Sequence, residues 1–369
     1  MSVTSSLGVV FETASFGGPH RYIINLLEEL EDNYDVTIIF PESQDRYFYN
    51  KLIKFNVRII EFPLSCLGGG IVNSASYFIF MFLNFLGIKK YFGSSRFDIM
   101  YIMGGSCCFL SVLLGLWCSK KLCWNLNDSY MPPIMRPFFW FFSRFVKSYV
   151  LTNKRTYELY KNMIPIDSRY RIIESPVSEI DFSINRKLKN KSERVNLVAV
   201  GNISPVKGYK DLIDILGLLT ASCDVQFKLT IIGKVFPRQQ SYYGQICDYA
   251  VKNNVNVTIL NDIVDVFEVF SNHDIFVMTS ISESSPLALY EALSYGMPFV
   301  VFDFTDLSKL EGLDGFIVKG RDKSLFSEKI VTLCEENKWY SANNQNYVKR
   351  FHSPAMIASD HQKFFESLE

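Results

Sequence analysis

Two glutamates with seven residues between them, Glu283 and Glu291, bracket the most informative stretch of the chain, Ser280–Gly296, SISESSPLALYEALSYG. A strand ending at Thr279 runs into a polar turn, and a helix is expected from Pro286. Proline suits a first helical position, and Ser285 or Ser284 just before it suits an N-cap. Ser284, Ser285, Pro286 and Leu287 would then present free backbone N–H groups and the positive end of a helix dipole, a setting that binds phosphate. Glu291 falls about 8 Å along the axis from Pro286, at 1.5 Å per residue. That is roughly the separation of a diphosphate from its ribose, where a carboxylate can accept hydrogen bonds from both hydroxyls. Glu283 lies on the other side of the turn, where a sugar on the same diphosphate would sit. The plain alternatives are a solvated turn residue and a surface helix residue.

Two further loops carry compatible chemistry. Val198–Gly208, VAVGNISPVKG, reads as a strand, a glycine turn through Gly201 and Asn202, and a cation, Lys207, at a helix start. Gly201 permits close backbone approach, and Lys207 can neutralise a diphosphate. Near the beginning, the strand Leu7–Glu12 leads through Gly17 and Gly18 into a helix over Pro19–Leu30, a setting in which backbone N–H groups can face a ligand. The chain contains neither a GxGxxG fingerprint nor a P-loop, which argues against dinucleotide oxidoreductases and P-loop kinases.

These loops need sheets to hold them. In the first half, apolar runs at Leu7–Glu12, Val36–Phe40, Val57–Phe62, Asp98–Met103, Lys121–Leu126, Tyr149–Thr152 and Arg171–Glu174 alternate with helix-length segments, among them Asn153–Met163. The rhythm restarts with Asn196–Val200, Lys228–Ile232, Val257–Leu260, Ile275–Met278, Phe299–Phe302 and Phe316–Val318. Short continuous apolar runs alternating with helices indicate parallel sheets wrapped by helices. The expectation is an α/β chain of two consecutive Rossmann-like domains: 1–175, a polar linker at 176–194, 195–352, and a terminal helix at 353–369. A length of 369 residues suits two domains.

The zero formal net charge hides an asymmetry: residues 62–157 carry ten basic and two acidic residues, Asp98 and Asp128, among many aromatics. Such a surface attracts an anionic membrane face more than it attracts nucleic acid. The uncharged stretch Ile71–Ile88 reaches the lower length limit for a membrane span. It contains Asn73, Ser74, Ser76 and Asn84, however, and stands where a helix must precede the Asp98 strand. It reads as a buried helix or one dipping partly into a membrane surface, with Lys89–Lys90 favouring the second. Cys107–Trp117 and Pro137–Phe145 are similar but shorter. No CxxC pair occurs among Cys66, Cys107, Cys108, Cys118, Cys123, Cys223, Cys247 and Cys334, and no secretory signal opens the chain. Reduced thiols in a cytoplasmic protein, peripheral at the inner membrane face, are expected. The four histidines, His20, His273, His352 and His361, are not spaced as metal ligands.

Taken together, GGPHRYIINLLEEL, VGNISPVKGYKDLI and ESSPLALYEALSYGMPFVVFD resemble glycosyltransferase family 4, the retaining enzymes of GT-B fold, over nearly the whole chain and in the same order. The resemblance implies two domains facing across a cleft, a terminal helix that can return to the first domain, and metal-independent transfer, with nucleotide held mainly by the second domain and acceptor by the first. It implies that Glu283 contacts the donor sugar, Glu291 the ribose, Lys207 the diphosphate, and Gly17–Gly18 the donor phosphates. It further implies a nucleotide-diphosphate sugar, UDP-linked in the favoured case, and a lipid-linked glycan acceptor in surface polysaccharide assembly, with no cofactor. Two positions depart from the family pattern. Asn202 stands where an arginine is usual, removing one charge from the diphosphate clamp. WNLNDSY replaces a His-Asp pair with Asn127 and Asp128, leaving Asn127 to position a sugar and Asp128 to contact donor or acceptor. These departures keep open a non-catalytic partner of an active transferase, and nucleotide-sugar epimerisation or phosphorolysis as a related chemistry.

Overall fold

The computed structural model describes residues 5–13, 16–43, 46–63, 71–128, 130–178, 194–261 and 266–368, the side chains of 71–80 and 82 apart. Cys66 and most of the expected linker, 179–193, lie outside the described residues. The chain divides into two units, Met1–Pro176 with Pro354–Glu369, and Val177–Ser353.

The first unit is built on seven parallel strands, β1 (Ser5–Phe11), β2 (Tyr34–Pro41), β3 (Arg58–Phe62), β4 (Phe97–Met103), β5 (Ser119–Leu126), β6 (Ser148–Leu151) and β7 (Arg169–Ile172), in the order β3-β2-β1-β4-β5-β6-β7. Successive side chains on a strand point to opposite faces, so each strand feeds two cores. On one face Val10, Ile102, Trp124 and Leu126 meet helices α4, α5, α6 and α7 (Ile71–Phe92, Phe109–Cys118, Arg136–Ser143 and Lys154–Tyr160). On the other, Val9, Phe11, Tyr101 and Cys123 meet α1 (Gly18–Ile24), α2 (Leu27–Glu31), α3 (Tyr47–Leu52) and the last helix of the chain, Pro354–Glu366.

The helix expected over Pro19–Leu30 is therefore two helices. Leu26 N–H bonds Ile23 O at 2.9 Å, a tightened last turn, while the Asn25 amide reaches out to Pro176 O at 3.1 Å. The apolar period runs through the break because both pieces bury the same face. Helix α4 runs four residues beyond the expected end at Ile88, and it packs through Ile88 and Phe92 while Leu83 and Leu86 stay exposed. Among the described residues no helix is long and apolar enough to cross a membrane.

The second unit has six parallel strands, β8 (Arg194–Val200), β9 (Gln226–Ile232), β10 (Val257–Leu260), β11 (Ile275–Met278), β12 (Phe299–Phe302) and β13 (Gly315–Val318), in the order β10-β9-β8-β11-β12-β13. Relabelled from its own first strand this is 3-2-1-4-5-6, the Rossmann order. Helices α8 (Tyr209–Ser222), α9 (Gln240–Lys252) and α12 (Lys323–Glu335) cover one face, and α10 (Val266–Phe270), α11 (Leu287–Ser294) and α13 (Ala342–Phe351) the other. The strand order reverses between β8 and β11, and ligands of open α/β sheets bind beyond the carboxyl ends of the strands at such a switch.

The final helix, α14 (Pro354–Glu366), belongs to the first unit and closes it through a buried polar cluster. His361 Nδ1 lies 2.8 Å from Ile357 O, so it carries the proton, and Nε2 faces the hydroxyls of Tyr22 at 3.1 Å and Tyr101 at 3.0 Å. Burial pushes the imidazole down to about 4, against a weaker opposing pull from the Ile357 carbonyl. An unfolded histidine titrates near its ordinary value of about 6.5, so between these values the unfolded chain takes a proton that the native site refuses. Stability is therefore lost as pH falls through this window, by about 1.4 kcal/mol per unit. Thermal melts of wild type and His361→Gln between pH 7 and 4 check this: the variant should lack this part of the slope, and equal slopes would disprove it.

Candidate active site

The loops after β8 and β11 meet at the switch point of the second sheet. After Val200 the chain passes Gly201 and Asn202, makes a short 3-10 turn over Pro205–Lys207, and reverses at Gly208 before α8 begins. Gly208 adopts φ +69°, and a Cβ there would fall 2.3 Å from Thr279 O. Only glycine fits a turn that is both left-handed and pressed against a neighbouring backbone. The contact is then sealed: Thr279 Oγ1 donates to Gly208 O at 2.9 Å, and Ile281 N–H donates to Val206 O at 2.7 Å. Gly201 plays a parallel part, since a Cβ there would stand 3.0 Å from Lys207 Cε.

This approach brings together residues that are 76 apart in sequence. Lys207 Nζ donates to Glu283 Oε1 at 2.6 Å, and Ser280 Oγ donates to the same oxygen at 2.7 Å. The side chains of Lys207 and Glu283 are 20% and 12% exposed, so the pair is partly dehydrated but still meets solvent. Glu291, on α11, is 4% exposed. Neither glutamate is a solvated surface residue.

The helix start differs from the expectation. Pro286 has φ −79° and ψ 62°, and Leu287 N–H bonds Ser285 O at 2.9 Å. These are the marks of an inverse γ-turn. Pro286 thus occupies the cap position, and α11 begins at Leu287. Lys207 likewise stands at the end of the 3-10 turn and not on α8, and the Asn202 side chain is exposed.

The first unit carries its own candidates, at the carboxyl ends of β1, β4 and β5. Gly17 is extended (φ −160°) at the cap of α1, and a Cβ built on Gly18 would meet nothing within 4 Å. The chain itself therefore does not demand glycine at 18. Asp128 braces a turn: Oδ2 accepts from Ser106 N at 3.0 Å and Ser106 Oγ at 2.6 Å, and the Tyr160 hydroxyl donates to Oδ1. Asn127 is half-buried beside it. Glu12, missed from the sequence, is buried and accepts from Ser111 N–H at 2.6 Å, in the first turn of α5. Its position at a strand end next to a Gly-rich stretch was the only signal.

Comparison with known proteins bears on the fold. Residues 181–350 match the family model described as "Glycosyl transferases group 1". The match covers nearly all of the second unit. Over 155 residues, 33% of this chain and 39% of the relative, the sequence is 24% identical to the UDP-Gal:alpha-D-GlcNAc-diphosphoundecaprenol alpha-1,3-galactosyltransferase of Escherichia coli. Among solved structures, Anabaena HepE in complex with UDP and glucose superposes with a TM-score of 0.77 at 14% identity, covering 98% of this chain and 100% of that one. A glycosyltransferase from Rickettsia africae gives 0.75 at 14% identity, covering 99% of each chain. The fold is GT-B, with both Rossmann-type units present.

The glycine constraint is open to test. Gly208→Ala should cost about 1–3 kcal/mol, for the left-handed backbone and the displaced Thr279 loop. Gly217→Ala, inside α8 where a Cβ meets nothing within 4 Å, should instead gain about 0.5–1 kcal/mol. Urea denaturation of both variants decides it, and equal effects would refute the constraint.

Proposed function

We propose that the chain is a retaining glycosyltransferase that moves a hexose or N-acetylhexosamine from a nucleotide-diphosphate donor, UDP-linked in the favoured case, to a lipid-linked glycan in surface polysaccharide assembly. One observation carries the reading: Lys207 and Glu283, from two loops at the Rossmann switch point, pair at 2.6 Å, a few residues ahead of the helix that carries Glu291. Lys207 would meet the diphosphate, with Gly201, Asn202 and the Ser284–Leu287 backbone around it. Glu283 would hold the sugar and Glu291 the ribose. In the first unit, Gly17, Gly18 and Asn127 would serve donor phosphate and sugar.

In the reaction, the acceptor hydroxyl oxygen bonds the anomeric carbon on the face from which the nucleoside diphosphate departs, and a donor phosphate oxygen takes the hydroxyl proton. Configuration is retained and no protein base is required. Charge on the departing diphosphate falls to Lys207 and the α11 N-terminus, both placed before the reaction begins. No metal enters this reading. The named activity of the E. coli relative, galactosyl transfer to a diphosphoundecaprenol-linked sugar, supports a lipid-linked acceptor here.

A lipid-linked acceptor calls for a membrane surface, and one layer of the first unit suits it. Leu83 and Leu86 of α4, Leu116 of α5, and Trp140 and Phe141 of α6 are exposed on helices that share one core face. Arg144 lies 3.6 Å from the Trp140 ring centre, and Lys89 4.9 Å from that of Trp117. Apolar rings flanked by cations suit the boundary of an anionic bilayer. The two acids of the stretch are already engaged, Asp98 by Ser6 and Lys120, Asp128 by Ser106.

Two measurements test these proposals. Release of UDP from a panel of UDP-sugars should fall by about 10²–10³ in Lys207→Ala and in Glu283→Ala, with a chelator leaving wild type unchanged. Wild-type rates in both variants would sink the assignment. Wild type should sediment with vesicles containing anionic phospholipid, less so as salt rises, and Trp140→Ser/Phe141→Ser should stay in the supernatant. Equal sedimentation of the two proteins would remove the membrane role from α6.

A further inference from the structure

Arg321 stands in the short turn between β13 and α12, in the sequence KGRDK, and nothing in its local pattern marks it. Its backbone is left-handed, φ +55°, a conformation that costs any residue but glycine. The side chain shows what the turn achieves. Nη1 donates to Ser280 O at 3.0 Å and Nη2 to Thr279 O at 2.9 Å, the two successive carbonyls that open the Glu283 loop. Nη2 also donates to Asp211 in the first turn of α8, immediately after Gly208. The guanidinium lies over the Phe302 ring at 4.7 Å.

Asp211 is itself held from a second side. Lys323 reaches Asp211 Oδ1 at 3.0 Å and Asp214 Oδ2 at 2.6 Å, and the Tyr249 hydroxyl donates to Asp214 at 2.7 Å. Burial works against the Asp211 carboxylate, but the Arg321 and Lys323 hydrogen bonds outweigh it and hold the group below its ordinary range. The network ties α8, α9 and α12 to the end of β11.

We propose that Arg321 is a positioning residue of the donor site. It clasps the Thr279–Glu283 loop to the first turn of α8 and so sets where Glu283 meets Lys207. Its two terminal nitrogens are engaged with two carbonyls and a carboxylate, and Phe302 covers one face of the guanidinium, so its part is to hold the loop. A planar fork spans two successive carbonyls, whereas a lysine ammonium is a single point on a flexible stem. The kinetic consequence rests on the transferase reading above; the structural one does not.

The test compares wild type, Arg321→Gly and Arg321→Lys by amide hydrogen exchange and by turnover. Glycine keeps the left-handed turn without strain, so the clasp is removed while the turn persists. In Arg321→Gly, exchange at Ile281–Glu283 should rise about tenfold or more while β8 and β9 amides keep their protection. Turnover of whichever UDP-sugar wild type uses should fall about a hundredfold, mostly in kcat, with the melting temperature close to wild type. Arg321→Lys should lie nearer the glycine variant than wild type in both readouts. Unchanged loop exchange and turnover would overturn the proposal, as would a uniform rise in exchange with a collapsed melting temperature, the mark of a general stability role. Should wild type turn over no UDP-sugar, the transferase reading fails separately and the loop exchange alone decides on Arg321.

Discussion

The geometry that joins Lys207 to Glu283 depends on one close approach, backbone to backbone, between Gly208 and Thr279. Two loops leave adjacent strands of a parallel sheet at its switch point, and parallel strands alone hold their ends about 4.8 Å apart. Bringing a lysine from one onto a glutamate from the other needs the loops to touch along their length. A left-handed glycine supplies the reversal, the Thr279 hydroxyl and Ile281 N–H seal it, and Ser280 turns Glu283 toward Lys207. The ion pair follows from this approach and does not create it. An exposed lysine and glutamate would gain little from pairing; here the backbone fixes both before they meet.

Most of the architecture was legible in the residues because parallel strands buried on both faces read as unbroken apolar runs. Each of the thirteen runs read from the sequence falls on a strand, and β10, β11 and β12 keep the same ends. The largest shift is at β7, an edge strand with every residue exposed, where burial leaves no apolar signature. Legibility weakens wherever a long-range bond decides a local shape. The break after Ile24 belongs with an amide that reaches 151 residues along the chain to Pro176. The late start of α11 follows from a γ-turn bond that no N-cap preference anticipates. Lys207, Glu283 and Glu291 could be named from motif and spacing, but Arg321 and Asp211 could not. Their partnership joins positions 110 apart and leaves no periodic trace.

The two faces of the first sheet are finished differently. One is covered by α1, α2, α3 and α14 around a polar centre of His361, Tyr22, Tyr101 and Asn125, where every ring also packs apolar neighbours. The other is covered by α4 to α7, whose inner surfaces are as apolar as any core but whose outer surfaces keep Leu, Trp and Phe in solvent among cations. Scattered exposed apolar residues are ordinary. A group of them on successive helices of one layer, with guanidinium and ammonium groups beside Trp140 and Trp117, is the feature on which the membrane proposal rests.

The docking of α14 has a bearing on how the molecule is made. Val177 N–H bonds His352 O at 2.9 Å, so the polypeptide enters and leaves the second unit at neighbouring points, and that unit is an insertion within the first. Ribosomal synthesis delivers domains in chain order and each tends to fold as it emerges. Here the inserted unit is complete in the nascent chain while the first sheet still lacks Ile357, His361, Phe364 and Phe365 for one of its faces. The half that is translated earlier is therefore the half that matures later, with one apolar face open in the interval.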